Sequence, residues 1–489
     1  MGCGEVDYFP IDIEKPNPEI AIPILTATAS VSEIAAQNSD KVTISVDSEG
    51  RITIFYRGDF LSQTALEIFP PLPLFIDFPI SDTLSALPLP LPEDRDIIIR
   101  RAIFTRSNII FKVDTTGTNV TRIIANIPDI NYNGELLSRE YEISDLVMNG
   151  GYLETPLISL DGWELVTSDN SINVDYDAFD EDGNSVKLPE VLMNIDFIAF
   201  SYVEGNLGEQ VFDIEGNNIS IGIFKKWISG GFSFDRPRII LDISNSFGLP
   251  MTAIFNKMEL VTINGNILPI ESDIIDQGLT FNYPSLDEVG EVKLSEIIFD
   301  SSNSNLEDIF NEKAIAVNFD VDAFANPPGT ESIIGFFTNQ SFYNIDAVVE
   351  VPLHTRIDEL LLADTFDLDA NELPALESPT LILSVKNGLP IRAKLKTLFL
   401  DENLNETDYL QGENWTEIEV ADIPSGEIQD QMTQRFIYPI STENWNLIRT
   451  TNRVIVLIQM NTEDDIDEYL WIMENQGIEV NLSVITQID

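Results

Sequence analysis

The sequence predicts a mainly β fold: tandem antiparallel β-sandwich-like domains with a few short helices. Three observations carry that prediction. Apolar runs are short, rich in Ile, Val and Phe, and bounded by Gly, Pro, Asn or Asp. Several of these runs flank turn signals in the manner of hairpins. A strand–bend–strand pattern also recurs along the chain at intervals of roughly 130 to 145 residues, the size of a sandwich domain.

Taken in order, "KVTISVDSEGRITIFY" (41–56) is two alternating runs around Asp47-Ser48-Glu49-Gly50, a hairpin. "SALPLPLPEDRD" (85–96) reads as a linker or as an edge crossing between sheets, because proline cannot donate to a strand ladder. "INVDYDAFDEDGNSVKL" (172–188) and "VFDIEGNNISIGIF" (211–224) read as further hairpins, turning at Asp182-Gly183 and Gly216-Asn217. "SNLEDIFNE" (304–312) opens on Ser304 with Glu307 three residues on, a capping-box pattern for a short helix. "TRIDELLLA" (355–363) and "TENWNLIRTTN" (442–452) read as helices of two or three turns.

The repeat is clearest between "PRIILDISNSFGLPMTAIFNKMELV" (237–261) and "PTLILSVKNGLPIRAKLKTLFL" (379–400). Pro237 matches Pro379, Asn245 matches Asn387, and after a two-residue gap Gly248-Leu249-Pro250 matches Gly388-Leu389-Pro390. "IIFKVDTTGTNVTRII" (109–124) follows the same plan without the Leu-Pro. Five segments result: a tether over 1–18, an N-terminal β segment over 19–105, and β-domains over 106–235, 236–377 and 378–489. "EIAIPILTATASVSEIA" (19–35) resembles "VVEVPLHTRIDELL" (348–361), so the first segment is expected to supply an element to a later unit.

Composition narrows function. There are 82 acidic residues against 27 Lys plus Arg, a net charge of −55, which excludes nucleic acid as a direct partner. One cysteine excludes an internal disulfide and a cysteine zinc cluster. The one histidine, His354, leaves a single base for a triad, and no Gly-x-Ser-x-Gly elbow accompanies it, so it reads as a strand-end surface residue. No stretch reaches the roughly 20 apolar residues that span a bilayer as a helix.

The lone cysteine is Cys3, in "MGCGEVDYFP". It reads as an incidental thiol, as a palmitoylation site beside a myristoylated Gly2, or as the lipidated cysteine of a bacterial lipoprotein. The second reading wants Ser or Thr at position 6, where Val6 stands, and basic neighbours, where Glu5 and Asp7 stand. Gly2-Cys3 fits the end of a lipobox, and the polar, Pro-punctuated "EVDYFPIDIEKPNPE" fits a tether, so the third is favoured.

"PEIAIPILTATASVSEIAA" (18–36), "ITIFYRGDFLS" (52–62), "FSYVEGNLG" (200–208), "PRIILDISNSFGLP" (237–250) and "FDSSNSNLEDIF" (299–310) form an ordered set across most of the chain. With it the sequence resembles a family of poorly characterised, β-rich outer-membrane lipoproteins of Bacteroidota. The resemblance implies a lipid anchor at Cys3, an outer-membrane location on either the surface or the periplasmic face, and no catalytic residues. The expected role is a non-catalytic binding or structural component of a cell-envelope complex, with envelope proteins or glycans as partners. The alternatives are a secreted or surface polysaccharide-binding or -processing protein, and a calcium-dependent adhesin.

Two weaker site candidates remain. Asp175, Asp177, Asp180 and Asp182 offer oxygens in the pattern a hard cation wants, which makes Ca²⁺ the one cofactor the sequence leaves open; Gly183 comes too early for an EF-hand and no Glu closes the loop. Trp227 follows Lys225-Lys226 and precedes "ISGG", a loop in which an indole could meet a ligand. Trp445 occupies the station of Leu306 in the repeat and reads as core.

Overall fold

A computed structural model describes residues 19–30, 41–68, 72–91, 96–224, 227–330, 333–367, 375–376, 379–400, 403, 406–409, 414–420, 433–462, 469–474 and 476–487. Strands account for 61% of residues and helix for 7%, so the chain is mainly β, with antiparallel sheets and short helices such as Leu306–Phe310 and Thr442–Ile448. Cys3 lies outside the described residues.

One pairing scheme occurs three times. In the first sandwich, Asn108–Asp114 pairs with Glu190–Ile198 and with Tyr152–Glu154. The facing sheet pairs Arg122–Tyr132 with Ser171–Phe179. In the second, Arg238–Asn245 pairs with Phe342–Pro352 and Lys293–Phe299, opposite Met251–Thr262 and Ala314–Ala325. In the third, Thr380–Asn387 pairs with Gly477–Gln487 and Thr433–Pro439, opposite Arg392–Leu400 and Arg453–Asn461. Alternation along the leading strands explains the two layers. Ile109, Phe111 and Val113 point inward in the first, Ile239, Leu241 and Ile243 in the second, Leu381, Leu383 and Val385 in the third, with Lys112, Asp242 and Ser384 on the opposite face.

The N-terminal segment is shared among all three. Leu72–Ile80 extends the first sandwich beside Glu190–Ile198, Ile52–Thr64 extends the second beside Phe342–Pro352, and Glu19–Ser30 extends the third beside Gly477–Gln487. The chain thus visits the sandwiches in reverse before building them in forward order. Residues 19–105 accordingly share sheets with every later segment. Ser85–Pro88, the Pro-rich stretch, is an edge strand on Ser171–Phe179.

Two local expectations change. "TRIDELLLA" lies within the strand His354–Asp367, not a helix. Its helix-forming residues are overridden by pairing on both sides, with Trp227–Phe234 and with Arg453–Asn461. Gly216-Asn217 is a bulge within the strand Gln210–Ser220, where the register against Ala314–Ala325 shifts between Ile214 and Asn217. The expected hairpin at 41–56 forms as Val42–Val46 against Ile52–Thr64.

Candidate functional site

The bends that follow the leading strands differ in what they enclose. Asn245 and Asn387 end their strands facing inward and are buried, so their amides must be hydrogen-bonded. Asn245 Oδ1 accepts from Phe247 N–H at 2.9 Å and its Nδ2 donates to the Asn282 carbonyl at 3.1 Å. Asn387 Oδ1 accepts from Leu389 N–H at 3.0 Å and its Nδ2 donates to the Ile391 carbonyl at 3.1 Å. Asp114 ends the first sandwich's leading strand on the outward phase, and it makes the same local bond, accepting from Thr116 N–H at 2.8 Å. The next residues also correspond: Ser246 N–H donates to the Phe342 carbonyl and Gly388 N–H to the Gly477 carbonyl. Across the ladder, Asn245 faces Tyr343 and Asn387 faces Ile478.

Phe247 and Leu389 therefore hold one station, and Tyr343 and Ile478 another. In the second sandwich the two aromatics fill the space: Phe247 and Tyr343 are buried, with ring centroids 6.1 Å apart. Gly248 lets the bend close over Phe336, since a Cβ there would lie 1.9 Å from that ring. Beside Leu389 and Ile478, where the third sandwich meets Ile54, Ile223 and Phe224 of the second, lies a cavity of about 110 Å³. Of its 15 lining residues only Gln476 is polar, a lining that keeps a cavity dry.

A strained bulge builds the far wall. Trp227–Phe234 slips register twice against His354–Asp367, between Trp227 and Ser229 and between Ser229 and Gly231. At the slip Glu359 has φ +49° and Gly230 has φ +97°. Only glycine fits at 230, because a Cβ would meet the Glu359 carbonyl oxygen at 2.2 Å. The bulge shifts the inward phase of the strand, from Leu353 and Ile357 on one side to Leu360 and Leu362 on the other, and all four line the cavity. Trp227 begins a strand rather than sitting in a loop, and its backbone pairs with Leu362 at the cavity edge.

His354 pins the same joint. Its Nδ1 lies 2.8 Å from Asp235 Oδ2 and its Nε2 3.0 Å from the Tyr469 carbonyl, so both ring nitrogens are engaged. The ring stacks on Trp471 at 4.5 Å and 14°, and the Arg51 guanidinium sits 5.2 Å from the centre of the Trp471 indole. Backbone bonds weld the N-terminal hairpin into place: Leu353 N–H to the Ile52 carbonyl, Ile472 N–H to the Leu353 carbonyl and Glu474 N–H to the Gly50 carbonyl. His354 thus opens its strand, as the sequence predicts, and is half-buried rather than fully exposed, with its ring held on both nitrogens.

The four aspartates are divided into pairs. Strand alternation sets Asp175 and Asp177 along one face, where both accept from Asn126 Nδ2, at 2.9 and 3.4 Å. Asp180 turns its carboxylate onto its own loop and accepts from Asn184 N–H at 2.8 Å and Asp182 N–H at 3.1 Å. The Asn184 amide holds the Asp180 carboxyl below the usual carboxylate range. Among the described residues no group of three or more His, Cys, Asp or Glu side chains converges as a metal site.

No family model and no curated protein matches the chain. Among solved structures, it is similar to a protein of Parabacteroides distasonis that is inferred to be secreted, at 12% identity and a TM-score of 0.27, over 59% of this chain and 89% of that one. It also aligns with a mutant VP2 protein of infectious bursal disease virus in T=1 particles, at 8% identity and a TM-score of 0.14, over 98% and 81% of the two chains. Among the described residues no helix is long and apolar enough to cross a membrane.

Proposed function

We propose that the chain is a lipid-anchored, non-catalytic binding or structural component of the outer envelope of a Bacteroidota cell, attached through Cys3. The observation that supports this reading is the path of the N-terminal segment. Glu19–Ser30, the first described strand after Cys3, is paired with Gly477–Gln487 along its whole length. Force on an anchor at Cys3 would load that ladder along the strand direction, and the following strands, Ile52–Thr64 and Leu72–Ile80, carry the chain into the other two sandwiches. The outer faces and edge strands would then meet envelope proteins or glycans.

Metabolic labelling with a clickable fatty acid in a Bacteroidota host tests the anchor. The wild-type chain takes up label and fractionates with the outer membrane, and Cys3→Ala takes up none while staying folded. An unlabelled, soluble wild-type chain contradicts the proposal. Capture of a stable envelope partner in mild detergent supports the binding role; turnover of a glycan by the purified chain replaces it with the polysaccharide-processing reading.

A further inference from the structure

We propose that the cavity under the Asn387 bend is a binding site for the end of an aliphatic chain. The proposal is independent of the anchor at Cys3. It starts from the contrast between sister bends. Phe247 and Tyr343 show that this architecture can be filled, and at the same stations Leu389 and Ile478 leave it open. The open space is kept at a cost that a leucine-to-phenylalanine exchange would remove.

The chemistry of the lining names the ligand class. Eleven of the 15 lining residues are Leu or Ile and present branched aliphatic surface, Phe224, Phe232 and Met460 complete the apolar wall, and Gln476 supplies the single polar side chain. An apolar cavity of about 150 Å³ accepts benzene. This one, at about 110 Å³, has room for a few methylene groups. The wall carries the structural strain: Glu359 at φ +49° against Gly230 at φ +97°. Such strain gathers where segments bind or move.

The test uses the full chain with three probes: 1-hexanol, hexanoate and benzene. Binding is read from the shifts of Ile and Leu methyl signals and from the melting temperature, which rises as ligand stabilises the native state. Saturable shifts centred on Leu389, Ile391 and Ile478 with a hexyl probe are expected. A response to the alcohol assigns a neutral lipid chain, and a response to the carboxylate assigns a free fatty acid. Leu389→Phe, and separately Ile478→Tyr, copy the sister bend; each weakens hexyl binding at least tenfold while keeping dispersed methyl signals. Two variants guard against one failing to fold. The proposal is overturned if the folded wild type shows no saturable shift, if both filled variants bind as well as the wild type, or if benzene binds more tightly than either hexyl probe.

Discussion

The bends of the second and third sandwiches share a scaffold and differ in filling. Both hang from a buried asparagine whose Oδ1 takes the N–H two residues on. Beyond it, one closes with Phe247 against Tyr343, and the other leaves space around Leu389 and Ile478. The difference shows that hydrogen bonding and core filling are separable here. The asparagine fixes where the backbone goes, and the residues after it decide whether the sandwich end is solid or hollow.

The strongest way to break the comparison is to empty the solid bend. Phe247→Ala should destabilise the second sandwich by about 3–5 kcal/mol, the cost of a buried Phe-to-Ala cavity. Hydrogen exchange of the amides of Arg238–Asn245 reads this locally, which matters because a chain of several units need not unfold in one step. A loss under about 1 kcal/mol would mean that the ring is not supporting the bend. The reverse exchange sharpens it. Leu389→Phe should stabilise the third sandwich by up to about 2 kcal/mol, less whatever overpacking strain it meets. A lowered melting temperature would show that the space is already shaped for something other than a ring.

The shared asparagine makes a smaller prediction. Asn387→Ala removes the partner of Leu389 N–H and should cost about 1–3 kcal/mol, with Asn245→Ala similar, since each leaves backbone groups without their amide partner. Urea unfolding of each variant measures it, and unequal losses would show that the two bends lean on their asparagines differently. The least effect belongs to Asp114, the ionisable counterpart. Hydrogen bonds from Thr116, side chain then backbone, hold its carboxyl below the ordinary range. Its contribution is therefore present above the unfolded value of about 3.9 and is lost as pH falls through the lowered folded value. Acid should lower the protection of the Thr116 amide relative to its intrinsic exchange rate, an effect abolished in Asp114→Asn, while the Phe247 and Leu389 amides, held by asparagines, show no such titration.

Much of the fold was legible. The alternation of 41–56 gave its hairpin, and the match between 237–261 and 379–400 gave two leading strands that pair alike. The exchange of N-terminal strands was only hinted at, because strand partners several hundred residues apart leave no local trace; nothing near Glu19 points to Gln487. The bend illustrates the finer limit. Identity of the Gly-Leu-Pro letters aligns Leu389 with Leu249, whereas the hydrogen bonds place it with Phe247. The missing Ser-Phe pair was visible as a gap, and it is the signal that could have found the cavity. The acid-rich stretch at 175–182 is split because strand alternation sets Asp175 and Asp177 on Asn126 while Asp180 turns onto its own loop. His354 gave no hint of its stack, since Trp471, Asp235 and Tyr469 reach it from distant segments.

The central claim is that Leu389 and Ile478 leave open a space that Phe247 and Tyr343 fill. A crystal of the full chain pressurised with xenon tests it most directly. A xenon atom is expected between Leu389, Ile391 and Ile478, with none beside Phe247 and loss of the site in Leu389→Phe. No xenon at the third bend, or equal occupancy at both, would contradict it.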